Sequence, residues 1–395
     1  MHSFFKSLLA LAALSIALPS FGYEITAIDA RSHTGTIPVR VSANSPQLES
    51  LAQQAFGSHG RYEVTNSPTA RYNIRFTYLG GNSVRVDVTH GVTNDSVLSQ
   101  SVAGTSAYNA LLKAADLAVE RTNGKGLRGF FASRITFLAG ANAHREVYVS
   151  DLFCVEAKRL TSDRRDALFP RWSPDGQRIV YTSYLHGTPD IYLINLGSYT
   201  RSTFASYKGL DMSARFSPDG SRVAMVLSGT GSPEIWVSDG SGYNPHRLTH
   251  SETAKSSPCW SPDGRQILFA EEPGPHLFLM SAYGGSPRLV CQGLSSYNAE
   301  PDWIRSNGHD LVAFTTRAGG FQIAVADDFN TPKVVSSAPF DGIEPTWLPD
   351  GRHLVYTART PSSSQICILD TETGKSTPIR GAARLGPTMQ ASVLR

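Results

Sequence analysis

The sequence predicts a small N-terminal α/β domain followed by an all-β six-bladed β-propeller of four-stranded antiparallel blades, closed by the C-terminal strand. Three observations predict it. Trp172-Ser-Pro-Asp-Gly, Phe216-Ser-Pro-Asp-Gly, Trp260-Ser-Pro-Asp-Gly, Trp303-Ile-Arg-Ser-Asn-Gly and Trp347-Leu-Pro-Asp-Gly recur at steps of 44, 44, 43 and 44 residues, a period of blades, solenoid units or arrays. Each unit consists of short apolar and β-branched runs between turns, without a helical period, which selects blades. The stretch before the repeats mixes helix-period and strand-period segments instead.

The chain opens with one positive charge between Met1 and Lys6, then an apolar run of 12 residues from Ser7 to Leu18, ending at Pro19. This reads as a secretory signal peptide over residues 1–22, cut after Gly22. The run is well short of the roughly 20 residues needed to span a bilayer. Residues 23–127 form the α/β domain. Leu48, Leu51, Ala52, Ala55 and Phe56 share one side of a helix over 45–56, and Leu111, Leu112, Ala115, Ala118 and Val119 one side of a helix over 106–121. Ser106 is placed to cap the second. Between them, 62–65, 72–79, 84–89 and 97–102 read as strands separated by turn residues. Gly124 to Gly129 is the hinge into residues 128–395, the propeller.

Within a propeller unit, the proline of Ser-Pro-Asp-Gly presets a turn dihedral, the aspartate bonds nearby backbone and the glycine accepts positive φ, so an inner strand is joined to the next. The preceding aromatic wedges between blades. These Asp and Trp residues are therefore architectural. Counting one period back from Trp172 reaches Arg128, after which Ile135-Thr-Phe-Leu and Glu146-Val-Tyr-Val follow in blade order, lacking only a first strand. One period forward from Trp347 reaches Ala391, inside a C-terminal segment that supplies it. Closure of this kind removes open sheet edges.

Composition narrows the function. Charged residues make up only 17% of the chain, the formal net charge is +3, and no Lys/Arg run is present. Neither nucleic acid nor insertion into a membrane is indicated as a partner. Four cysteines, at 154, 259, 291 and 367, show no close metal-binding pairs and read as small buried hydrophobes. Export would also permit a disulfide such as Cys259 to Cys291.

The whole predicted mature chain resembles the TolB family of the Tol-Pal envelope system. The resemblance lies in the export signal, the α/β domain ending in a helix and Arg128-Gly-Phe-Phe-Ala-Ser-Arg-Ile-Thr-Phe, the Trp-Ser-Pro-Asp-Gly blades, Arg247-Leu-Thr and Glu344-Pro-Thr-Trp347. The α/β domain is short by comparison, and Leu210 and Asp211 stand where the family tends to place His and Asn. The resemblance implies a periplasmic, non-enzymatic monomer without cofactor. Its propeller would bind a Pal-like peptidoglycan-associated lipoprotein and its N-terminal region a TolA-like inner-membrane protein, in the service of envelope integrity and cell division. Tyr23, Glu24, Ile25, Ile28 and Asp29 would belong to an N-terminal strand that docks in one state and is released in another.

A catalytic reading finds no nucleophile with its base. Gly104-Thr-Ser106-Ala-Tyr lacks the final glycine of G-x-S-x-G, and the 11 histidines include no H-E-x-x-H pair. Loops on a rigid frame around a channel are a recognition surface. If the Ser-Pro-Asp-Gly turns occupy one face, the leading loops of the Trp strands share the other. They offer Asp166 and Phe169, Leu210 and Asp211, Thr253 and Ser256, Asn298 and Glu300, and Asp341 and Glu344 as partner contacts. The alternatives are a propeller binding glycan, a small ligand or another protein, and a hydrolase using channel carboxylates. Metal occupancy of the channel is left open.

Overall fold

In the computed structural model, residues 35–141 and 144–395 are described. The signal segment and the residues of the N-terminal strand, Tyr23 to Asp29, lie outside them.

The first domain is a five-stranded mixed sheet in the order β2-β1-β3-β4-β5. Its elements are β1 (Ile37–Ala43), α1 (Pro46–Ser58), β2 (Tyr62–Val64), β3 (Tyr72–Gly80), β4 (Ser83–His90), β5 (Ser96–Ala103) and α2 (Ala107–Thr122). β1 runs parallel to both β2 and β3, while β3, β4 and β5 are antiparallel. Pro46 sits at the start of α1, where its missing N–H costs nothing. Ser106 caps α2 by accepting the Asn109 N–H at 3.1 Å, as its position suggested. β1 was not anticipated, although Ile37, Val39 and Val41 alternate inward. Pro38 interrupts that pattern yet keeps its carbonyl in use, accepting the Arg71 N–H at 2.8 Å.

Six four-stranded antiparallel blades follow. The inner strands are Ala167–Trp172 in blade 2, Asp211–Phe216 in blade 3, Lys255–Trp260 in blade 4, Asn298–Ser306 in blade 5 and Asp341–Trp347 in blade 6. Blade 1 begins with Arg134–Ala139 as its second strand and takes its inner strand, Thr388–Val393, from the C-terminal end of the chain. The ring is closed as the repeat count required. Ala391 and Val393 are buried with Phe131, Phe153 and Val355, so closure also ties the last strand to the domain joint.

The turn motif behaves as its chemistry dictates. Ser217 Oγ donates to Asp219 Oδ1 at 2.6 Å and accepts the Arg222 N–H at 3.0 Å, and Asp219 takes the Ser221 N–H at 3.1 Å. These donors, the Ser217 hydroxyl foremost, hold the Asp219 carboxyl at about 2. Two of the wedge aromatics are tied to the preceding blade. Trp172 Nε1 donates to Ser392 O at 3.1 Å and Trp260 Nε1 to Arg215 O at 2.9 Å. Arg134, Arg178 and Arg222, each opening the second strand of one blade, stack over Trp172, Phe216 and Trp260 of the next at 4.7, 4.9 and 4.7 Å.

The α/β domain sits on the turn face. Its joint with the propeller combines buried aromatic side chains, Phe56, Phe130, Phe131 and Phe153, with buried polar groups. Asp116 of α2 accepts N–H groups of Phe130, Phe131 and Ala132 at 3.0, 2.7 and 2.9 Å, anchoring the connecting segment. Gly60 N–H donates to His353 Nε2 at 3.2 Å, and Lys375 Nζ to Gly57 O at 3.0 Å. The inner strands run from the open face toward these turns, so the leading loops are left on the side away from the α/β domain. All four cysteines are free and buried; Cys259 and Cys291 are not bridged.

Candidate functional site

In every blade one residue near the start of the inner strand, the third or in blade 6 the fourth, is left-handed: Phe169, Ser213, Ser257, Glu300, Glu344 and Gln390 have φ between 53° and 57°. At each of them the register against the second strand shifts. For residues with a Cβ this conformation costs roughly 1–2 kcal/mol, and a bulge is the device that re-aims a side chain. Cross-blade hydrogen bonds offset the cost. Phe169 N–H donates to Gln390 Oε1 at 2.7 Å and Ser213 N–H to Thr182 Oγ1 at 3.2 Å. Glu344 N–H donates to Glu300 Oε2 and Thr315 Oγ1, both at 3.0 Å, and Gln390 N–H to Thr357 Oγ1 at 3.0 Å. In all four cases the acceptor belongs to the preceding blade. The bulges form a ring at the channel mouth, and all six of these side chains line it.

Two residues deeper stand Arg171, Arg215 and Asp302. The channel is thereby polarised. Blades 2 and 3 carry Arg171 and Arg215, while blades 5 and 6 opposite them carry Glu300, Asp302 and Glu344. Asp302 closes the floor: it pairs with Arg215, lies 2.9 Å from Arg395 Nη2 and accepts the Trp347 N–H at 2.7 Å. Burial opposes its charge, but Arg395 and Arg215 prevail and hold the carboxyl below the ordinary range. Nearer the mouth, burial and then the Glu344 charge raise Glu300 to about 7. Glu300 Oε2 accepts Thr315 Oγ1 at 2.6 Å, and Glu344 accepts Gln390 Nε2 at 2.8 Å and Thr357 Oγ1 at 2.9 Å. Burial, reinforced by Arg215, lowers Arg171 to about 10. The room left for small molecules is about 30 Å³, enough for roughly two waters.

Of the ten rim residues singled out from sequence, Phe169, Glu300 and Glu344 line the channel. The rest are placed otherwise. Asp166 pairs with Arg145, and Asp341 with Arg359 at 2.8 Å. Leu210 N–H donates to Ser228 Oγ at 2.7 Å, and Asp211, fully buried, accepts the Tyr207 N–H. Burial raises the Asp211 carboxyl to about 6. Thr253 accepts Lys255 Nζ on its carbonyl at 2.6 Å, and Asn298 accepts the Thr316 hydroxyl at 2.8 Å. Ser256 pairs with Ala270 in its blade, and its neighbour Ser257 lines the channel. Arg171, Arg215, Ser213 and Gln390 were not singled out. Their signal was the repeat register, since each lies three or five residues into an inner strand.

Among the described residues, two groups of His and acidic side chains bring ligand atoms within 4.8 Å of one another, and neither is in the channel: His59, Asp350 and His353, all buried, and the exposed His309, Asp327 and Asp328. The first is the domain joint. His353 already uses both nitrogens, Nδ1 at 2.5 Å from Asp350 and Nε2 accepting from Gly60, and His59 Nδ1 accepts the Arg61 N–H at 3.2 Å.

Comparison with known proteins agrees with this architecture. Residues 122–384 match the family profile described as the TolB beta propeller domain. The "Tol-Pal system protein TolB" of Azoarcus sp. is 30% identical over 166 residues, 42% of this chain and 36% of that protein. The protein of the same name from Desulfosudis oleivorans is 35% identical over 88 residues, 22% of this chain and 20% of its own length. The matched stretches thus span about a third or less of these relatives. The crystal structure of TolB from Acinetobacter baumannii superposes with a TM-score of 0.78 at 20% identity, covering 93% of this chain and 98% of that one, which shows a shared fold across both domains. These names describe components of the Tol-Pal system rather than enzymes, and the chain belongs to the TolB β-propeller family.

Proposed function

We propose that the chain is an exported, periplasmic protein-interaction component of a Tol-Pal system, making and breaking no covalent bond. Its propeller, by the mouth of the channel, receives a Pal-like lipoprotein, and its N-terminal region contacts a TolA-like protein. Exchange between the two links the envelope layers during constriction. The observation that carries this reading is the channel mouth: six re-aimed side chains, Glu300 and Glu344 among them on one side, with the Arg171 and Arg215 guanidinium groups two residues deeper on the other, around room for about two waters. Such a mouth offers charges of both signs to complementary side chains of a protein partner. Its face is also free of the α/β domain. No helix among the described residues is long and apolar enough to cross a membrane.

The test is titration of the mature protein with the Pal-like and TolA-like periplasmic domains of the same bacterium, repeated without residues 23–32. Saturable Pal-like binding to the full mature chain, altered by the deletion, is the expected result. A correctly folded protein that binds neither domain would overturn the proposal.

A further inference from the structure

Five ionised or ionisable side chains in or beside the channel already have strong partners. Arg215 and Arg395 both bond Asp302. Glu300 is held by Thr315 and the Glu344 N–H, and Glu344 by Gln390 and Thr357. Arg171 is different. Its one hydrogen bond is Nη1 to Ala391 O at 3.4 Å, at the long limit for such a bond. No carboxylate among the described residues lies within 4.0 Å of it. A guanidinium presents five donors in a planar fork that matches a carboxylate. Here Arg171 lines the cavity with only that one long bond, partly shielded from solvent, where an ion pair is stronger than on an open surface.

We propose that the Arg171 guanidinium is the receptor for a carboxylate side chain that a protein partner, seated on the channel mouth, inserts into the channel. The inference rests on the reading of the mouth as a partner-binding surface, and adds the chemistry of the group that enters. Three features favour an anion over a cation at this point. Arg215 stands beside Arg171, so a cation would meet two like charges. Glu300 and Glu344 each already accept two hydrogen bonds from wall donors, whereas Arg171 uses one donor in a single long bond. The room of about 30 Å³ fits a carboxylate replacing about two waters. Phe169, half-buried at the lip of the same blade, offers apolar surface to the methylene carrying that carboxylate.

The experiment uses the mature protein labelled with ¹⁵N-arginine, titrated with sodium acetate against sodium chloride at matched ionic strength, with side-chain Nε–H resonances as the readout. The Arg171 resonance, assigned by its loss in Arg171→Gln, shifts saturably with acetate and not with chloride. Arg171→Lys, which keeps the charge without the fork and leaves the strand intact, binds acetate about tenfold or more weakly, read from the resonance of the neighbouring Arg215 in both proteins, as loss of charge-assisted hydrogen bonds requires. An unmoved Arg171 resonance, an equal response to chloride, or full acetate affinity in Arg171→Lys overturns the site. Pal-like domain is titrated in parallel. If acetate engages Arg171 but the Pal-like domain does not bind wild type, the partner assignment fails and the carboxylate site stands. Equal Pal-like binding by wild type and Arg171→Lys overturns the role of Arg171 in receiving a partner.

Discussion

Asp302 and Glu300 are two channel carboxylates with opposite electrostatic fates. Asp302 is held ionised by two guanidinium groups, so its contribution to stability is present at neutral pH and is lost as pH falls through its lowered value. Asp302→Asn removes the shared counter-charge and leaves Arg215 and Arg395 against each other. The expected loss is about 3–5 kcal/mol, read as a lower urea midpoint at pH 7. Glu300 behaves in the reverse sense. Its folded value of about 7 lies above the ordinary 4.5, so between those pH values the unfolded chain gives up a proton that the folded chain keeps. Stability falls as pH rises through that window and is not regained above it. Glu300→Gln, whose amide oxygen still accepts from Thr315, melts near wild type at pH 4 and above it at pH 8. The gain is of order 1–2 kcal/mol after allowance for solvent at the mouth.

At the scale of elements, ring closure and the domain joint make the sharpest demands. Deleting residues 386–395 removes the inner strand of blade 1, the Arg395–Asp302 pair and the Ser392 carbonyl that holds Trp172. The cost is expected at about 5 kcal/mol or more, with aggregation through the freed edge of Arg134–Ala139; thermal melting with light scattering checks it. At the joint, a Cβ on Gly60 would lie 1.6 Å from Asp370 Oδ2, whose carboxylate is held by Arg352 at 2.6 Å. Gly60→Ala therefore loosens the domains by about 1–3 kcal/mol, seen as faster proteolysis within residues 123–129 while the blades stay intact. The blades were legible because turn chemistry and strand pattern repeat at one period, so each copy corroborates the others. The first blade and its closing strand followed from counting alone. The joint was not legible: nothing in the spacing of His59 and His353 reports that their rings meet at 4.4 Å. The bulges were hidden for another reason. A left-handed Phe, Ser, Glu or Gln leaves no compositional mark, unlike glycine, and only the common register of six strands betrays it.

At the scale of the molecule, the two faces of the ring have different tasks. The turn face meets the α/β domain at blades 1 and 6, with a shared core running from Phe56 through Phe131 to Val355. The other face carries the polarised mouth. Fold and family were legible in the sequence, as was the face that carries the mouth. The acidic half of the channel was partly legible, through Glu300 and Glu344, because those residues come early in their inner strands, where the sequence reads as leading loop. The basic half was not, because Arg171 and Arg215 lie inside strands, where an arginine ordinarily reads as an outward-facing residue. The measurement that bears most directly on the mouth as a recognition surface is calorimetric titration of the mature protein with the Pal-like domain. Wild type would be compared with Phe169→Ala/Glu344→Gln, matched for fold by circular dichroism. The account predicts saturable binding to wild type and binding at least about tenfold weaker to the double variant, the loss expected for central interface side chains. Equal affinity of the two proteins would contradict it.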